Sequence, residues 1–339
     1  MRYLVFDRGL GAGMLIAALA AVSTVHAASF DCAKATKPVE KVICTTPSLS
    51  QADETLAQDY RRLMEGLPPA LKPILQKGQR SWLAYVPLYC SSDGRGTIGK
   101  PADFAQCVTQ EYAQRVRSLQ NQPARIGPFS VIQADEFQAM PSSSKEPDFF
   151  PIVSHTKSVA MVFGGEEQQA ARVNEWLQMI ATNEKANWND PETSASFTLT
   201  LMKANTVFAS AVANTDIFGV GAAHPLSLSK MHHLFMKTGK PIQWRDVFQP
   251  DARAKLTQLA WTALKKKLGS DLMVEKPTGI AKLVEDPGHW QFGAQGLTIQ
   301  FNVYEVAAYV MGPQEIMVPW SALKDSLSPT GLAIVEAAR

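Results

Sequence analysis

Apolar residues recur at helical spacing in the part of the chain that follows residue 28. Pro38 suits the first turn of a helix, and Val39, Val42 and Ile43 follow it on one helical face. Three further apolar stripes have the same period: Leu49, Ala52, Leu56, Tyr60 and Leu63; Leu71, Leu75, Gly78, Trp82 and Tyr85; and Phe104, Val108, Tyr112, Val116 and Leu119. The pattern predicts a small all-α module of four helices over residues 28–120.

All four cysteines of the chain fall in this module, at Cys32, Cys44, Cys90 and Cys107. Four cysteines can pair in three ways. If the second and third helices run antiparallel, all four cysteines gather at one end of the bundle. We therefore expect the local pairs Cys32–Cys44 and Cys90–Cys107, each contributing roughly 3 kcal/mol to stability. No paired C-x2-C spacing indicates a zinc site instead.

Beyond residue 148 the period of the apolar positions changes to a mixture of strands and helices. Strands are predicted at "DFFPIVS", "VAMVFG", "MHHLFMKTGKPIQ", "QGLTIQFNVYEVA" and "EIMVPWSALK", a hairpin at "SASFTLTLMKANTVFASAVANTD", and helices at "EEQQAARVNEWLQMIA" and "PDARAKLTQLAWTALKKKL". This succession predicts an α+β domain over residues 148–330 with a mainly antiparallel sheet. The intervening residues 121–147 are rich in Pro, Ser and charge, which is typical of a linker.

The first 27 residues have the pattern of a secretory signal peptide. Arg2 and Arg8 lie in the charged start, the apolar run "GLGAGMLIAALAAVSTV" follows, and "VHA" offers small residues for cleavage after Ala27. The apolar run is shorter than the about 20 residues of a spanning helix. We expect an exported protein, periplasmic or secreted, with no membrane span after cleavage. The net charge of +2 gives no sign of a nucleic-acid partner.

The sequence contains none of the usual arrangements of hydrolytic chemistry. His232 and His233 are adjacent on a predicted strand, so their side chains point to opposite faces and cannot share a metal. His155 and His289 are isolated, and no H-E-x-x-H or G-x-S-x-G motif occurs. We expect no enzymatic activity, no metal and no cofactor, and structural or solvated roles for these histidines.

The first module resembles the N-terminal domain of the lysozyme inhibitor LprI family. The resemblance lies in "FDCAKATKPVEKVIC", "PSLSQADETLAQDYRRLM", "QRSWLAY" and the two cysteines that follow, and covers residues 29–120. The family commonly has an Arg-Asp pair before the third cysteine, where this chain has "VPLYC". The resemblance implies that lysozyme is the protein partner.

The second domain resembles the C-terminal domain of the anti-sigma factor RsiV and the peptidoglycan deacetylase PdaC. The resemblance lies in "FGVGAAHPLSLSK", "TGKPIQWRDVF" and "GLTIQFNVYEVAAYVMGPQEIMVPWSAL", and covers residues 148–327. This chain has Ala308-Tyr309 where the family usually has Pro-Tyr. RsiV is a receptor for lysozyme, so both resemblances imply the same ligand.

Loops that join strands are where a rigid scaffold usually presents its binding residues. We predict a ligand site at the end of the hairpin and around the penultimate strand: Gly219, Gly221, His224, Pro225, Tyr304 and Tyr309. Tyrosine favours interfaces because a large ring also carries a hydroxyl. The alternative is that the glycines only permit a turn and the tyrosines only pack the sheet.

The leading hypothesis is an exported lysozyme-binding protein that inhibits lysozyme and protects the cell wall. A second hypothesis is a periplasmic envelope module that binds peptidoglycan or another envelope protein through the same loops. A third is an envelope hydrolase. An aromatic-lined groove with hydrogen-bonding residues would favour a glycan, and a convex, stiff loop would favour inhibition.

The clustered cysteines predict two intramolecular disulfides in the mature protein. Mass spectrometry of the unreduced protein should find both pairs and no thiol that reacts with an alkylating reagent. A free thiol in the folded protein would contradict this expectation.

Overall fold

The computed structural model describes residues 28–143, 151–183 and 189–339. The predicted signal peptide, residues 1–27, lies outside the described residues. Within the described ranges, no helix is both long enough and apolar enough to cross a membrane.

The four predicted helices of the first module are confirmed. They are α1 (Pro38–Thr45), α2 (Pro47–Gly66), α3 (Lys72–Tyr89) and α4 (Pro101–Gln120). A proline opens α1, α2 and α4, where its missing N–H leaves no helical bond unmade. The predicted stripes supply the core of the module, in which Leu49, Val108 and Leu119 are fully buried.

The disulfides join Cys32 to Cys44 and Cys90 to Cys107, which confirms the predicted local pairs. No described cysteine is free. The first bond ties the segment before α1 to the end of α1, and the second ties the end of α3 to α4. Each bond therefore restrains a neighbouring pair of segments in a module with a small core.

A six-stranded sheet follows, with the strands in sequence order. Its strands are β1 (Ala124–Ile126), β2 (Phe129–Pro141), β3 (Ile152–Phe163), β4 (Thr193–Ala204), β5 (Phe208–Gly219) and β6 (Leu226–Phe235). Only β3 and β4 pair in parallel, and α5 (Glu167–Thr182) is the crossover that a parallel pair requires. The mainly antiparallel sheet is thus confirmed.

Two details of the sheet differ from the sequence prediction. The segment predicted as a linker, 121–147, contains β1 and β2, because Phe129, Val131 and Ile132 are buried. Residues 144–147 lie outside the described part. The segments "DFFPIVS" and "VAMVFG" were predicted as two strands, whereas from Ile152 they form the single strand β3, paired with β2 along its whole length.

The C-terminal layer contains a second, three-stranded antiparallel sheet. Its elements are α6 (Trp244–Val247), α7 (Ala252–Leu268), α8 (Ala281–Glu285), β7 (Trp290–Phe292), β8 (Gly296–Phe301), β9 (Gln314–Pro319), α9 (Trp320–Leu323) and α10 (Pro329–Ala338). The buried side chains of α7 and of all three strands form one apolar core with Phe208 of β5.

The two faces of the six-stranded sheet have different neighbours. Helix α5 covers one face, where Ala209, Ala211 and Ala213 of β5 share a core with Val173 and Leu177. Because side chains alternate along a strand, Phe208, Ser210, Asn214 and Asp216 lie on the opposite face. That face carries the helical module against β2 at one end and the C-terminal layer against β5 and β6 at the other.

A buried ion pair joins the helical module to the sheet. Arg115 Nη1 of α4 donates to Asp135 Oδ2 of β2 at 2.6 Å, and the two side chains are 2% and 7% exposed. Asp135 Oδ1 also accepts from the Ser158 hydroxyl at 2.7 Å. A side chain at Gly78 of α3 would place its Cβ 3.0 Å from the Asp135 carbonyl oxygen. The absence of that side chain allows α3 to lie close against β2.

Removing one member of this pair should destabilise the protein strongly. Asp135→Ala leaves the Arg115 guanidinium buried without its partner, at an expected cost of about 3–5 kcal/mol in the free energy of unfolding. Urea denaturation of residues 28–339 measures this change. The double variant Arg115→Met, Asp135→Leu removes both charges and should recover most of the loss. Equal destabilisation by the single and double variants would contradict the interpretation.

His233 connects β6 to the C-terminal layer inside the core. Its Nε2 lies 3.0 Å from the Trp290 carbonyl oxygen and its Nδ1 lies 2.8 Å from the Ser210 hydroxyl. A carbonyl oxygen can only accept, so the proton is on Nε2 and Nδ1 accepts from Ser210. Burial lowers the pKa of His233 from 6.5 to about 4. The folded protein therefore keeps this ring neutral over a range in which the unfolded chain takes up a proton.

This difference predicts a loss of stability in mild acid. Above pH 6.5 the His233 ring is neutral in both the folded and the unfolded state, so the folded protein has its full stability. As the pH falls to about 4, only the unfolded chain takes up a proton at this ring, and the free energy of unfolding decreases by about 3 kcal/mol. Urea denaturation at a series of pH values measures the slope. His233→Gln cannot titrate and should reduce the slope between these limits, while His232, whose pKa burial also lowers to about 4, keeps the remainder. An unchanged slope in this variant would assign the acid sensitivity to other groups.

Candidate functional site

A strip of small polar side chains crosses the open part of the sheet, between the helical module and the C-terminal layer. We call it the serine strip, and it consists of Ser154, Ser194, Ser196, Asn214, Asp216, Ser227 and Ser229. Four neighbouring strands contribute to it, β3 to β6, so it is about 14 Å across at the usual strand spacing. Sequence analysis did not single it out, because serines at alternate positions are common on the solvated face of a strand.

Hydrogen bonds between neighbouring strands order the serine strip. The Ser196 hydroxyl donates to Asp216 Oδ2 at 3.0 Å, and the Ser227 hydroxyl donates to Asp216 Oδ1 at 2.5 Å. The Ser229 hydroxyl donates to Asn214 Oδ1 at 2.6 Å. Each of these side chains is therefore held in place without being buried in the core.

An aromatic cluster lies beside the strip, at the side of the C-terminal layer. The ring of His224 stacks on Tyr309, with the ring centroids 3.7 Å apart and the planes at 19°. The Tyr304 hydroxyl lies 3.2 Å from His224 Nε2, and the Tyr309 hydroxyl donates to the Pro225 carbonyl at 2.7 Å. His224 Nδ1 lies 3.1 Å from the same carbonyl. Nδ1 therefore carries the proton, and Nε2 accepts from Tyr304.

The turn between β5 and β6 brings His224 and Pro225 to this cluster. Strand β5 ends at Gly219, and β6 begins at Leu226. Gly221 has a φ of 82°, which lies in the left-handed region where a side chain is disfavoured. The two glycines therefore contribute the backbone of the turn, and His224 and Pro225 contribute side chain and carbonyl contacts.

Tyr304 and Tyr309 reach the cluster from the connection between β8 and β9. The sequence placed Tyr304 on the penultimate strand, but β8 ends at Phe301 and Tyr304 lies in the turn beyond it. Its φ of 68° is unusual for a residue with a large side chain, and such strain is often found at binding sites. Tyr309 opens a 3-10 turn, Tyr309–Met311.

Asn302 holds this connection against β6, and the sequence prediction missed it. Its side-chain oxygen accepts from the Ser229 N–H at 2.8 Å, and its side-chain nitrogen donates to the Ser229 carbonyl at 3.2 Å. Its own N–H donates to Glu305 Oε2 at 2.7 Å. An asparagine directly after a strand is a signal for a side-chain-stabilised turn, which could have identified it.

The structure thus brings all six sequence-predicted site residues to one place. The side chains of His224, Tyr304 and Tyr309 contact one another, and Gly219, Gly221 and Pro225 shape the adjoining turn. Tyr304 is 53% exposed, and Val310, next to Tyr309, is 88% exposed. The cluster therefore presents an aromatic and apolar surface to solvent on a hydrogen-bonded base.

Three other described histidines, His155, His233 and His289, bond to backbone carbonyls inside the protein. His155 Nε2 lies 2.7 Å from the Thr193 carbonyl, and His289 Nδ1 lies 2.6 Å from the Gln300 carbonyl. Ser210 and His233 are within hydrogen-bonding distance, but they are 5% and 3% exposed, so a substrate has no access to that hydroxyl. Over the described ranges, no group of three potential ligand side chains could hold a metal ion.

The chemistry of the strip and the cluster is suited to non-covalent recognition. Tyrosine offers a large contact area at a low cost in conformational entropy, and serine and asparagine offer adaptable hydrogen bonds. The same combination is typical of binding surfaces that contact proteins. The arrangement holds donors and acceptors in fixed positions without an activated nucleophile.

Two segments of the chain match known protein families. Residues 32–119 match the family "Lysozyme inhibitor LprI", and residues 245–321 match "Protein of unknown function (DUF3298)". The first match coincides with the segment for which the sequence resembles LprI, and the second lies within the RsiV-like segment. A comparison with curated proteins found no match.

Two solved structures of the DUF3298 family are similar to this chain. One, from Bacteroides fragilis, is 14% identical, with a TM-score of 0.48 over 63% of this chain and 98% of its own. The other, from Pseudomonas aeruginosa, is 13% identical, with a TM-score of 0.41 over 60% and 96%. Both scores are below 0.5. The chain combines a segment of the lysozyme inhibitor LprI type with a later segment of the DUF3298 type.

Proposed function

We propose that this protein is exported and that it binds and inhibits lysozyme, which protects the cell wall. The observation that carries the proposal is the match of residues 32–119 to the lysozyme inhibitor LprI family. Neither matched family is described as an enzyme family, which favours a binding protein. The partner is therefore a protein rather than a small substrate.

The cysteines support an extracytoplasmic location, periplasmic or secreted. All four form disulfides, and such bonds persist in oxidising compartments. The signal-peptide pattern of residues 1–27 supports the same location. An inhibitor that works outside the cytoplasm also benefits from the stiffness that the disulfides give to a small module.

The aromatic cluster is the part of the surface that we assign to partner contact. Lysozyme cleaves glycan between two carboxyl groups in a cleft, and a protein inhibitor needs a stiff, convex element to fill it. The turn that carries Tyr309 and Val310 is exposed at its tip, and the hydrogen bonds of Tyr309 and Asn302 hold its base. Little conformational entropy is then lost when the turn is immobilised on a partner.

Titration of purified residues 28–339 against several types of lysozyme tests the proposal. Inhibition of cell-wall hydrolysis that saturates at a fixed ratio of protein to enzyme is the expected result. A pull-down with insoluble peptidoglycan, run in parallel without enzyme, separates inhibition from shielding of the substrate. Retention on peptidoglycan without any complex with a lysozyme would contradict the proposal and favour the envelope-module hypothesis.

Truncation of the aromatic cluster should weaken the complex without weakening the fold. Tyr309→Ala and His224→Ala should each reduce lysozyme binding by about 1–2 kcal/mol. Isothermal titration calorimetry measures the affinity, and an unchanged melting temperature shows that the fold is intact. Tyr89→Ala, which truncates an exposed tyrosine of the helical module, is the matched control.

The stacking of His224 on Tyr309 adds a sharper expectation. Because the two rings contact each other, the double variant should lose less affinity than the sum of the single losses. Unchanged affinity in both single variants would remove the cluster from the interface. The helical module would then be the remaining candidate for the contact surface.

A further inference from the structure

A cavity of about 340 Å³ lies where the helical module meets the sheet. Helices α3 and α4 form one wall, and strands β2, β3 and β4 form the other. Small-molecule sites usually have volumes of about 300–1,000 Å³ and often lie between domains. The cavity is separate from the aromatic cluster, with which it shares no residue.

One side of the cavity is aromatic. Tyr85 and Tyr89 of α3 stack with their centroids 4.8 Å apart and their planes at 16°. Phe137 of β2 lies beside them, with its centroid 5.7 Å from that of Tyr85. Tyr89 is 36% exposed, so its ring stands at the border between the cavity and solvent. This side of the cavity is therefore lined by aromatic rings, of which Tyr89 is the one most accessible to a ligand.

The remaining lining is polar and offers both donors and acceptors. Glu111 and Gln114 contribute a carboxyl and an amide from α4, and Thr156 and Thr198 contribute hydroxyls from adjacent strands. Arg115 also lines the cavity, and its Nη2 is the guanidinium nitrogen for which the described residues provide no hydrogen-bond partner. Because this nitrogen is fully buried, the polar groups that a ligand in the cavity can contact are those of Glu111, Gln114, Thr156 and Thr198.

The charges around the cavity disfavour an anion. The Arg115 charge is already compensated by Asp135, with which it forms the buried pair. Lys157 lines the cavity, but its amine donates to the Ala181 carbonyl at the end of α5, on the other face of the sheet. Glu111 is left as a partly buried acid, and burial raises its pKa. The cavity therefore offers no unpaired positive charge to an anion, and these groups suit a neutral ligand.

We propose that this cavity binds a neutral saccharide of one or two rings. A sugar ring has an apolar C–H face that packs on an aromatic ring, and hydroxyls at its edge that pair with carboxyl, amide and hydroxyl groups. The aromatic side and the polar side of the cavity match these two features. The inference goes beyond the inhibition of lysozyme and does not depend on it.

Calorimetric titration of residues 28–339 with cellobiose, N,N'-diacetylchitobiose and maltose tests the inference. Sorbitol, which has hydroxyls but no ring, is the matched control ligand. Saturable binding of at least one disaccharide, no binding of sorbitol, and equal affinity at low and high salt are the expected results. Binding of no disaccharide, or equal binding of sorbitol, would overturn the inference.

Variants locate the site and separate it from the proposed contact with lysozyme. Tyr89→Ala should weaken the binding of the disaccharide by about tenfold, because it removes a stacking ring. Glu111→Gln should weaken it as well, and both variants should melt at the wild-type temperature. Tyr304→Ala, at the aromatic cluster, should leave it unchanged.

Inhibition of lysozyme by the Tyr89→Ala variant should equal that of the wild type. Loss of disaccharide binding in Tyr304→Ala, or full binding in Tyr89→Ala, would place the sugar elsewhere and contradict the assignment. If lysozyme binding fails for all variants and the wild type while the disaccharide still binds, the proposed function falls and this inference stands.

Discussion

The buried pair of Arg115 and Asp135 is the interaction on which the arrangement of the two parts depends. It fixes α4 over β2, and together with the close approach at Gly78 it sets the position of the helical module on the sheet. That position decides how much of the sheet stays open. Because the helical module covers β2, the serine strip on β3 to β6 stays uncovered. The cavity beside Tyr85 lies at the border between the module and the sheet.

The helices and the disulfides could be predicted because their signals are local. An apolar residue every third or fourth position and a proline at the first turn define α1 to α4 within a few residues each. Strand β2 has no such signal, since Gln133, Asp135 and Glu136 give it the composition of a solvated segment. Its burial comes from Arg115, the module core and the core under α5, and the residues of these contacts are distant in sequence and leave no mark on the local pattern.

The residues of the aromatic cluster could be predicted from their residue types and their positions in loops. That they contact one another could not be predicted, because it follows from the topology of the fold. The β5–β6 turn and the β8–β9 connection are about 80 residues apart, as the bond between His224 and Tyr304 shows. The strained backbone of Tyr304 and the contacts of Asn302 could not be predicted, because both follow from the way the C-terminal layer lies on β6. The same holds for the cavity, whose walls come from five elements.

Asn302 affects how the edge of the six-stranded sheet can pair with another chain. Strand β6 is the last strand of its sheet, and a free strand edge invites pairing with another chain. The Asn302 side chain occupies both the N–H and the carbonyl of Ser229 on that edge, as a neighbouring strand would. At this position of β6 the backbone groups of Ser229 are therefore already bonded within the chain and are not available to a strand of another chain.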